Sequence, residues 1–223
     1  MVVAVVIPAL NEAATIASVL RALPPGVRVV VADNGSTDGT PKIATMHGAE
    51  VVQVQERGYG NAILAAMAYL AEAPPDVLVV LDADHSDSPE QLSRLVAPIV
   101  SGRADLVCSD RSRTAGRGAL TFTQRFGNRF AVTLIERACG RRFRDLGPFR
   151  AIRWASLLRL GMEDPTWGWN VEMNLKAVRF GLRVEEVALP YGQRRGGRSK
   201  ISGSIVGATR AGYRILAAVR RYR

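Results

Sequence analysis

The sequence predicts an α/β domain in which a mostly parallel sheet is flanked by helices and followed by a basic C-terminal helical elaboration. Two observations predict this fold. Short apolar runs rich in valine alternate along the first half with longer segments whose apolar residues recur at helical spacing. The connections are short, and repeated strand–helix units of this kind make right-handed crossovers that build a parallel sheet.

The first 110 residues contain five predicted strands and four predicted helices. The first strand, residues 2–7, leads into a helix over 12–22, for which Asn11 is a suitable N-cap. The remaining strands are predicted at 27–32, 51–54, 77–81 and 106–109, and the remaining helices at 40–47, 61–71 and 89–100. Ser88 and Pro89 supply a cap and a first-turn proline for the last of these helices.

After residue 111 the pattern changes. Residues 121–139 predict one long helix with arginines on its polar face, and residues 182–189 predict a returning strand. Residues 192–197 are a basic, glycine-rich loop. Residues 202–222 place apolar side chains on one face and arginines on the other, which is typical of an amphipathic helix. With no internal repeat or low-complexity linker, the 223 residues are predicted to form one domain.

Charge is divided unevenly between the two halves of the chain. Residues 1–110 carry 6 Lys/Arg and 13 Asp/Glu, a net charge of −7, whereas residues 111–223 carry 24 and 7, a net charge of +17. An acidic half of this kind suits a cation, and a basic half suits an anionic partner. Nucleic acid, an anionic membrane surface and phosphorylated substrates all fit the basic half.

Several classes of protein are disfavoured by the composition. The two cysteines, Cys108 and Cys139, form no disulfide framework and no zinc-ligand pattern. No signal peptide and no apolar stretch of about 18 or more residues is evident. We therefore expect a cytoplasmic location, with peripheral binding to the cytoplasmic face of a membrane as an option.

Asp82 and Asp84 are the most informative residues of the chain. They directly follow the apolar run at 77–81, which predicts a strand buried on both faces. The carboxyl edge of a parallel sheet is where open α/β folds bind ligands. Two carboxylates without a basic neighbour in sequence repel each other, and a divalent cation relieves this repulsion. The alternative is a strand-end turn with two solvated aspartates.

Two other polar turns are predicted at the same edge. The first strand leads into Asn11 and Glu12, and the second leads into Asp33 and Gly35. A nucleoside needs a carboxylate to hydrogen-bond its base or ribose and a tight turn that lets it approach. Ordinary strand–helix turns use the same residue types, so each turn is informative only together with the others.

At this point the chain resembles family 2 glycosyltransferases of the GT-A fold, a Rossmann-like architecture. The resemblance depends on three segments in order, residues 6–12, 33–38 and 82–84, and continues through residues 57–62. It implies that a nucleotide-sugar donor binds to residues 1–110 and that Asp82 and Asp84 hold Mg²⁺ or Mn²⁺ against its diphosphate. The implied donor-binding residues are Pro8, Ala9, Asn11, Glu12, Asp33, Gly35, Arg57 and Gly58.

The second half resembles polyprenyl-phosphate glycosyltransferases, similar to dolichyl-phosphate mannose synthase, through residues 145–150 and 195–200. The resemblance implies catalytic roles for Asp145 and Arg150, an acceptor half at 111–200 and a lipid-phosphate acceptor. Because Arg binds phosphate bidentately, basic residues are the acceptor candidates. The predicted acceptor-phosphate residues are Arg117, Arg125, Arg195, Arg198, Ser199 and Lys200.

The chain departs from the family pattern at two places. Gly147 and Pro148 stand where relatives have Ser or Thr followed by Gly, and proline restricts the backbone there. After Asp84 come His85, Ser86 and Asp87 in place of Leu-Gln-His. We expect either water or Asp87 to complete the metal site, because Ser86 is shorter than Gln.

The predicted reaction is an inverting displacement at the anomeric carbon of a hexose carried by UDP or GDP. A phosphate acceptor is already ionised, whereas a sugar or another alcohol needs a general base. Asp145, Glu172, Glu163 and Asp164 are the base candidates, so a soluble acceptor is the alternative. A nucleic-acid-binding module is a remote alternative, since no stacking pattern of aromatic residues accompanies the arginines.

The predicted C-terminal helix, residues 201–223, has two possible partners. Its basic, amphipathic character suits an anionic membrane surface, where each Lys or Arg contributes about 1 kcal/mol. Alternatively, the helix packs on the sheet with its arginines in water. The oligomeric state is left open by the sequence.

Overall fold

The structure of the protein is a computed structural model that describes residues 1–116, 119–194, 196 and 215–222. Seven strands form one sheet: β1 (Val3–Ala9), β2 (Arg28–Asp33), β3 (Glu50–Gln53), β4 (Val77–Val80), β5 (Leu106–Asp110), β6 (Arg150–Arg153) and β7 (Val184–Ala188). Their order is β3-β2-β1-β4-β6-β5-β7. Strand β6 is antiparallel to both of its neighbours, and the other four pairings of described strands are parallel.

The helices that connect the strands are α1 (Ile16–Ala22), α2 (Thr40–Met46), α3 (Tyr59–Leu70), α4 (Leu92–Val100), α5 (Phe122–Cys139), α6 (Trp154–Leu160) and α7 (Trp169–Arg179). A 3-10 turn, Pro89–Gln91, precedes α4, and residues 215–222 are helical. Helix α5 begins with a capping box, in which the side chains and amides of Thr121 and Gln124 hydrogen-bond each other.

The sheet is covered on both faces, which gives the molecule two apolar cores. One core contains residues of α1, α2 and α4, such as Val19, Ala44 and Leu95. The other contains residues of α3, α5, α7 and the segment 215–222, such as Ile63 and Ile135. Helices α1, α2 and α4 thus form one layer, and α3, α5, α7 and residues 215–222 form the other.

The predicted mostly parallel sheet is confirmed, and each strand predicted from the sequence is present within two residues of its expected ends. The structure adds β6, α6 and α7, which the sequence did not predict. Strand β6 has only four residues and begins and ends with arginine, so it lacks the apolar run that identifies a buried strand.

Of the two predicted helix caps, the one at Asn11 is wrong, and the one at Ser88 is right in position but makes no side-chain bond to the helix. The first helix begins at Ile16 rather than at residue 12, and Asn11 does not cap it. Instead, Asn11 bonds to the turn after β2. Ser88 does occupy the N-cap position of the 3-10 turn, but its hydroxyl donates to the Pro190 carbonyl rather than to a helix amide. In both places a contact to a distant loop replaces the local one.

The described part of the C-terminal segment packs on the domain. Ala218, Val219 and Tyr222 are buried in the same core as Ile135 of α5. Arg221 forms an ion pair of 3.2 Å with Glu163 in the loop before α7. The apolar face of residues 215–222 is therefore used within the protein, whereas residues 201–214 and 223 lie outside the described part of the chain.

Membrane-spanning segments are not found in the described part of the chain. None of its helices combines the length and the apolar composition that crossing a bilayer requires.

Glycines at the start of α3 let this helix approach the loop before α7. A Cβ atom at Gly58 would lie 2.2 Å from the Pro165 carbonyl oxygen, and one at Gly60 would lie 1.8 Å from that of Asp164. The Asn61 amide donates to the same Pro165 carbonyl at 3.1 Å. Gly58, which was predicted to bind the donor, and Gly60 thus allow a close contact of two backbones.

Gly60→Ala should lower the free energy of unfolding by about 1–3 kcal/mol, because the backbone facing it cannot move away cheaply. Gly127→Ala in α5 is the matched control, since nothing lies within 4 Å of a Cβ atom there. This control should be neutral or stabilising by up to about 1 kcal/mol, the helix preference of Ala over Gly. Urea unfolding measures both, and equal effects would contradict the close-contact interpretation.

Candidate active site

The candidate site lies where the central strands β2, β1 and β4 end. Ala9 of β1 pairs with Asp33 of β2, and the amide of Leu81, just past β4, donates to the Val6 carbonyl of β1. Because all three strands are parallel, their carboxyl ends share one edge of the sheet. The polar turns that follow them therefore lie side by side.

The turn after β1 is fixed by hydrogen bonds to the turn after β2. The Asn11 side-chain oxygen accepts a bond of 2.8 Å from the Thr37 amide, and the Glu12 amide donates to the Thr40 hydroxyl at 2.9 Å. Asn11 has a φ of 53°, a left-handed conformation that Asn adopts more readily than most residues. Two predicted donor-binding residues are thereby held at the sheet edge.

The buried Asp33 carboxylate closes its own turn. It accepts hydrogen bonds from the amides of Gly35 at 3.3 Å and Ser36 at 3.1 Å. Gly35 has a φ of 84°, and its carbonyl accepts a bond of 3.1 Å from Arg57 at the exposed rim. Asp33 and Gly35 thus shape the turn, and their contact with a nucleoside stays a prediction.

Pro8, Ala9 and Gly58 complete the predicted donor set. Ala9 is buried at the end of β1, and Pro8 beside it is half-buried. The Gly58 amide donates to the Asn34 side-chain oxygen at 3.1 Å, which ties the start of α3 to the turn after β2. The predicted donor-binding residues are thus all at or beside the edge where β1 and β2 end.

Asp82 and Asp84 follow β4 at this edge, where the charge of Asp84 disfavours that of Asp82. Burial and the Asp84 carboxylate raise the pKa of Asp82 to about 7, although Arg111 and Arg194 act in the opposite direction. One Asp84 oxygen accepts bonds from the amide and the hydroxyl of Ser86 at 2.9 and 2.5 Å. Ser86 therefore holds Asp84 in place.

Asp87 adds a buried carboxyl beside the pair. Burial, and then the charge of Asp82, raise the pKa of Asp87 well above its usual value. Its Oδ2 atom has no hydrogen-bond partner within the described residues. An unpartnered buried carboxyl oxygen is costly, so a polar group or a cation is needed here.

Glu12, Asp82, Asp84 and Asp87 together form what we call the acidic edge. Arg194, which is far along the chain, reaches it. Its guanidinium contacts Asp84 at 2.9 Å and Glu12 at 3.1 Å. The segment that carries it is tied to the turn after β4, because the Gly192 amide donates to the Ser86 carbonyl at 2.8 Å. One guanidinium thus neutralises acids from the turns after both β1 and β4.

These acidic residues fit a divalent cation that a ligand helps to coordinate. Asp82 and Asp84 supply oxygen atoms, and the oxygen of Asp87 that lacks a partner lies nearby in charge contact with Asp82. In the part of the chain that the structure describes, no group of three or more Asp, Glu, His or Cys side chains is arranged to hold a metal unaided. A cation here therefore needs further oxygen ligands, such as those of a diphosphate.

Arg111 and Asp145 form a buried ion pair next to the acidic edge. Arg111 Nε and Nη2 donate to the two Asp145 oxygens at 2.7 and 2.8 Å, and its amide donates at 2.8 Å. Arg111 also lies over the Tyr191 ring, 5.0 Å from its centroid. Asp145, predicted as catalytic, is thus engaged by Arg111, and we treat it as the residue that positions this arginine.

Arg150, also predicted as catalytic, lies beneath the surface. Its guanidinium is buried and donates to the Gly147 carbonyl at 2.6 Å and to the Asn174 side chain at 3.2 Å. A Cβ atom at Gly147 would lie 2.7 Å from the Ser109 hydroxyl, so this loop is packed tightly against β5. Arg150 therefore holds the loop that carries Asp145 and makes no contact with solvent.

The predicted acceptor residues are mostly outside the described part of the chain. Arg117, Arg195, Arg198, Ser199 and Lys200 belong to this group. Arg125 is described and lies exposed near the start of α5. Its contact with an acceptor phosphate stays a prediction, as do the contacts of the other five.

Three of the four candidate general bases are paired with cations. Asp145 is paired with Arg111, and Glu163 lies at the surface beside Arg221. Glu172 is fully buried and accepts bonds from two backbone amides and from Lys176. Asp164 uses one oxygen to accept from the amide and the hydroxyl of Thr166.

Arg111 and Arg194 are functional candidates that sequence reasoning missed. Arg111 directly follows β5, so its position after a parallel strand was a signal that the sequence offered. Arg194 stands among many arginines in a glycine-rich loop, and nothing in its sequence context distinguishes it from them. Only the contacts of the folded chain select it.

Comparisons with known proteins agree on one family. The model of glycosyl transferase family 2 matches residues 4–159. An uncharacterized glycosyltransferase of Mycobacterium tuberculosis is 38% identical over 214 residues, which cover 92% of each chain. The undecaprenyl-phosphate mannosyltransferase of Micrococcus luteus is 34% identical over 221 residues, with 93% of this chain and 90% of that one covered.

A solved structure shares the fold. Glucosyl-3-phosphoglycerate synthase from Mycobacterium tuberculosis, crystallised with Mn²⁺, UDP-glucose and phosphoglyceric acid, superposes with a TM-score of 0.77. The match covers 98% of this chain and 80% of that one at 24% identity. The predicted GT-A fold is thereby confirmed.

Arg194→Gln should tighten the binding of Mn²⁺ to the donor-free protein by about tenfold, because the cation no longer competes with a guanidinium for Asp84. Arg21→Gln, at the end of α1, is the control and should leave the affinity unchanged. Isothermal titration of Mn²⁺ in the absence of nucleotide measures both. An unchanged or weaker affinity of the Arg194 variant would contradict the competition.

Asp145→Asn should lower the free energy of unfolding by about 3 kcal/mol, because it leaves the largely buried Arg111 without its counter-ion. Glu185→Gln breaks the exposed ion pair with Arg103 and should cost less than about 1 kcal/mol. Urea unfolding compares the two variants. Equal losses would show that the Arg111–Asp145 pair does not hold this loop.

Proposed function

Since the chain belongs to glycosyl transferase family 2, we propose that it transfers a hexose, with inversion, from a nucleoside-diphosphate sugar to a polyprenyl-phosphate acceptor. The observation that carries this proposal is the acidic edge at which Asp82, Asp84 and Glu12 meet the guanidinium of Arg194. Carboxylates beside a cationic side chain suit a metal-bound diphosphate, since the acids bind the metal and the arginine binds phosphate oxygens.

The donor nucleoside would bind against the turns after β1 and β2. Asn11, Glu12 and Asp33 are fixed there by hydrogen bonds to neighbouring residues, so these turns would need little rearrangement to receive the ligand. Arg57 lies at the rim and can reach the donor from outside. Whether the base is uracil or guanine depends on contacts that these residues leave open.

Asp82 and Asp84 would hold Mg²⁺ or Mn²⁺, which supplies Lewis-acid stabilisation of the departing nucleoside diphosphate. Ser86 would keep the Asp84 carboxylate oriented towards the cation. Arg194 would move from Asp84 to the diphosphate and there offset the negative charge that develops as the sugar leaves. Asp87 would contribute its unpartnered oxygen through water.

A phosphate acceptor suits the side of the site built by β5 and the loop before β6. Arg111 is held rigidly by Asp145, and the basic segment at 195–200 follows Arg194 in sequence. A phosphate brings its own negative charge and needs no general base, and three of the four base candidates are engaged elsewhere. The similarity to the undecaprenyl-phosphate mannosyltransferase supports a lipid phosphate.

A soluble alcohol acceptor is the second candidate function. Asp164 favours it, because this residue lies against Gly60 at the start of α3, close to the donor side. Its second carboxyl oxygen would serve as the general base that an alcohol requires. A nucleic-acid-binding module, the remote alternative of the sequence, gains no support, since the chain belongs to a family of enzymes.

The lipid acceptor would bring the enzyme to the cytoplasmic face of a membrane, where it would bind peripherally. Anionic lipids attract a domain that carries a charge of +17 on residues 111–223. Nucleotide-sugar donors are water-soluble and reach the site from the other side. Residues 1–110 would therefore bind the donor, and residues 111–200 would bind the acceptor.

A donor screen tests the proposal. The protein is incubated with Mg²⁺ or Mn²⁺ and a panel of UDP- and GDP-sugars, with and without a polyprenyl phosphate. We expect turnover of one donor, dependent on metal and lipid phosphate, with inverted configuration in the product. Turnover on an alcohol, and none on the lipid phosphate, would establish the second candidate in its place.

Asp84→Asn should reduce this turnover by at least about 100-fold, because a metal ligand is lost. Asp76→Asn is the matched control, since Asp76 lies at the other end of the same strand and is exposed. Equal turnover by the two variants would remove the metal assignment. Circular dichroism of each variant checks that the fold is unchanged.

A further inference from the structure

Helix α5 presents a row of exposed phenylalanines that no part of the described chain covers. Phe122, Phe126 and Phe130 are 83%, 65% and 38% exposed, although large aromatic side chains are usually buried. They are spaced four residues apart, so they follow one another along a single face of the helix. The opposite face is buried through Ala131 and Ile135. We call the three phenylalanines the α5 stripe.

The apolar surface continues from the α5 stripe to the C-terminal helix. Phe126, Arg129, Phe130 and Thr133 line a depression, and Leu134 comes one turn further along α5 from Phe130. Leu134 and the exposed Leu216 then line a groove of about 370 Å³ between the two helices. The exposed apolar surface therefore extends beyond the face of α5 to the C-terminal helix.

Arginines flank the stripe and acids are scarce there. Between residues 111 and 144 the chain has nine arginines and one acidic residue, Glu136. Arg125, Arg129 and Arg137 of α5 are exposed, and none of the ion pairs seen in the described residues involves them. Arg220 of the C-terminal helix lines the same groove as Leu134. The exposed surface is thus apolar at its centre and cationic around it.

We propose that the α5 stripe is a membrane-docking surface, which inserts its phenylalanines into the interface of an anionic bilayer while the flanking arginines contact lipid phosphates. A helix with an apolar face bordered by arginines lies in the plane of such an interface. The cationic border selects this occupant, because a second copy of the chain would bring a second set of arginines to the same surface.

The docking surface lies on the acceptor side of the site. The Asn128 side-chain oxygen of α5 accepts a bond of 2.9 Å from the Leu146 amide, in the loop whose Asp145 holds Arg111. A bilayer touching the stripe therefore lies beside the loop that positions this arginine. In this respect the inference rests on the proposed function, since a lipid phosphate in that bilayer would approach the site from the docked face.

The sequence predicted that residues 201–223 contact the membrane, whereas the proposed docking surface lies on α5. Ala218, Val219 and Tyr222 are buried against the domain, so among the apolar side chains of residues 215–222 these three are not available to lipid, whereas Leu216 is exposed at the groove shared with α5. Residues 201–214 lie outside the described part of the chain and take no part in the argument. The sequence did not indicate that the phenylalanines of α5 are exposed, because a helix of this composition can equally be buried.

Vesicle co-sedimentation tests the surface without donor or acceptor. The full chain is mixed with vesicles of phosphatidylcholine alone or with phosphatidylglycerol added, and we expect binding that requires the anionic lipid. Phe126→Asp should weaken the partition coefficient by about tenfold or more, since burying one Phe contributes that much. Arg129→Gln should weaken it by about fivefold and make it less sensitive to salt.

Two matched controls lie in the opposite helix layer. Met46 at the end of α2 is 73% exposed, and Met46→Asp should leave vesicle binding unchanged. Arg21→Gln in α1 is the control for Arg129→Gln. Because Phe126 and Met46 are both largely exposed, neither substitution should unfold the protein, and thermal melts check this.

Three outcomes would overturn the proposal. The first is that the wild-type chain fails to sediment with anionic vesicles. The second is that Phe126→Asp binds them as well as the wild type does. The third is that Met46→Asp loses as much binding as Phe126→Asp. A dimer in sedimentation velocity that Phe126→Asp dissociates, without vesicle binding by the wild type, would identify a second copy as the occupant.

A transfer assay separates this inference from the proposed function. A short-chain prenyl phosphate dissolved in water and a long-chain polyprenyl phosphate in vesicles are compared as acceptors. Phe126→Asp should lose activity only on the vesicle acceptor. Vesicle binding by the wild type without transfer to either acceptor would refute the proposed acceptor and leave the docking surface standing.

Discussion

Repulsion between acids at one edge of the sheet is the constraint on which the rest of the site depends. Glu12, Asp82, Asp84 and Asp87 come from two turns and are all largely removed from water, where each charge raises the cost of the next. The fold meets this cost with arginines. Arg194 contacts two of the acids directly, and Arg111 lowers the pKa of Asp82 from a distance.

The antiparallel strand β6 brings the loop that carries Asp145 to the same edge. In a purely parallel sheet, the loop that enters a strand lies at the edge opposite to the ligand. Because β6 runs the other way between β4 and β5, the loop that enters it lies where those two strands end. Asp145 can therefore reach Arg111, and a single reversed strand joins the two halves of the site.

The sequence indicated the convergence of the turns after β1, β2 and β4 but not the contacts of Arg111 and Arg194, for a physical reason. Apolar strands followed by polar turns are local patterns, so the convergence of Asp33 and Asp84 could be foreseen from the order of strands alone. The pairing of Arg111 with Asp145 spans 34 residues, and that of Arg194 with Glu12 spans 182. Such contacts depend on the path of the chain, and any of 30 cationic residues could have made them.

Arg194 gives the donor-free protein an internal counter-ion, and this changes how the site is filled and emptied. Under the proposed function, filling the site would exchange one cation for another rather than add charge to a bare acidic cluster. Donor binding would be weaker by the contacts that Arg194 gives up at Asp84 and Glu12. The same contacts would be regained when the nucleoside diphosphate leaves. The arginine would thus weaken retention of the spent nucleotide, and turnover would gain from a bond that the resting enzyme makes with itself.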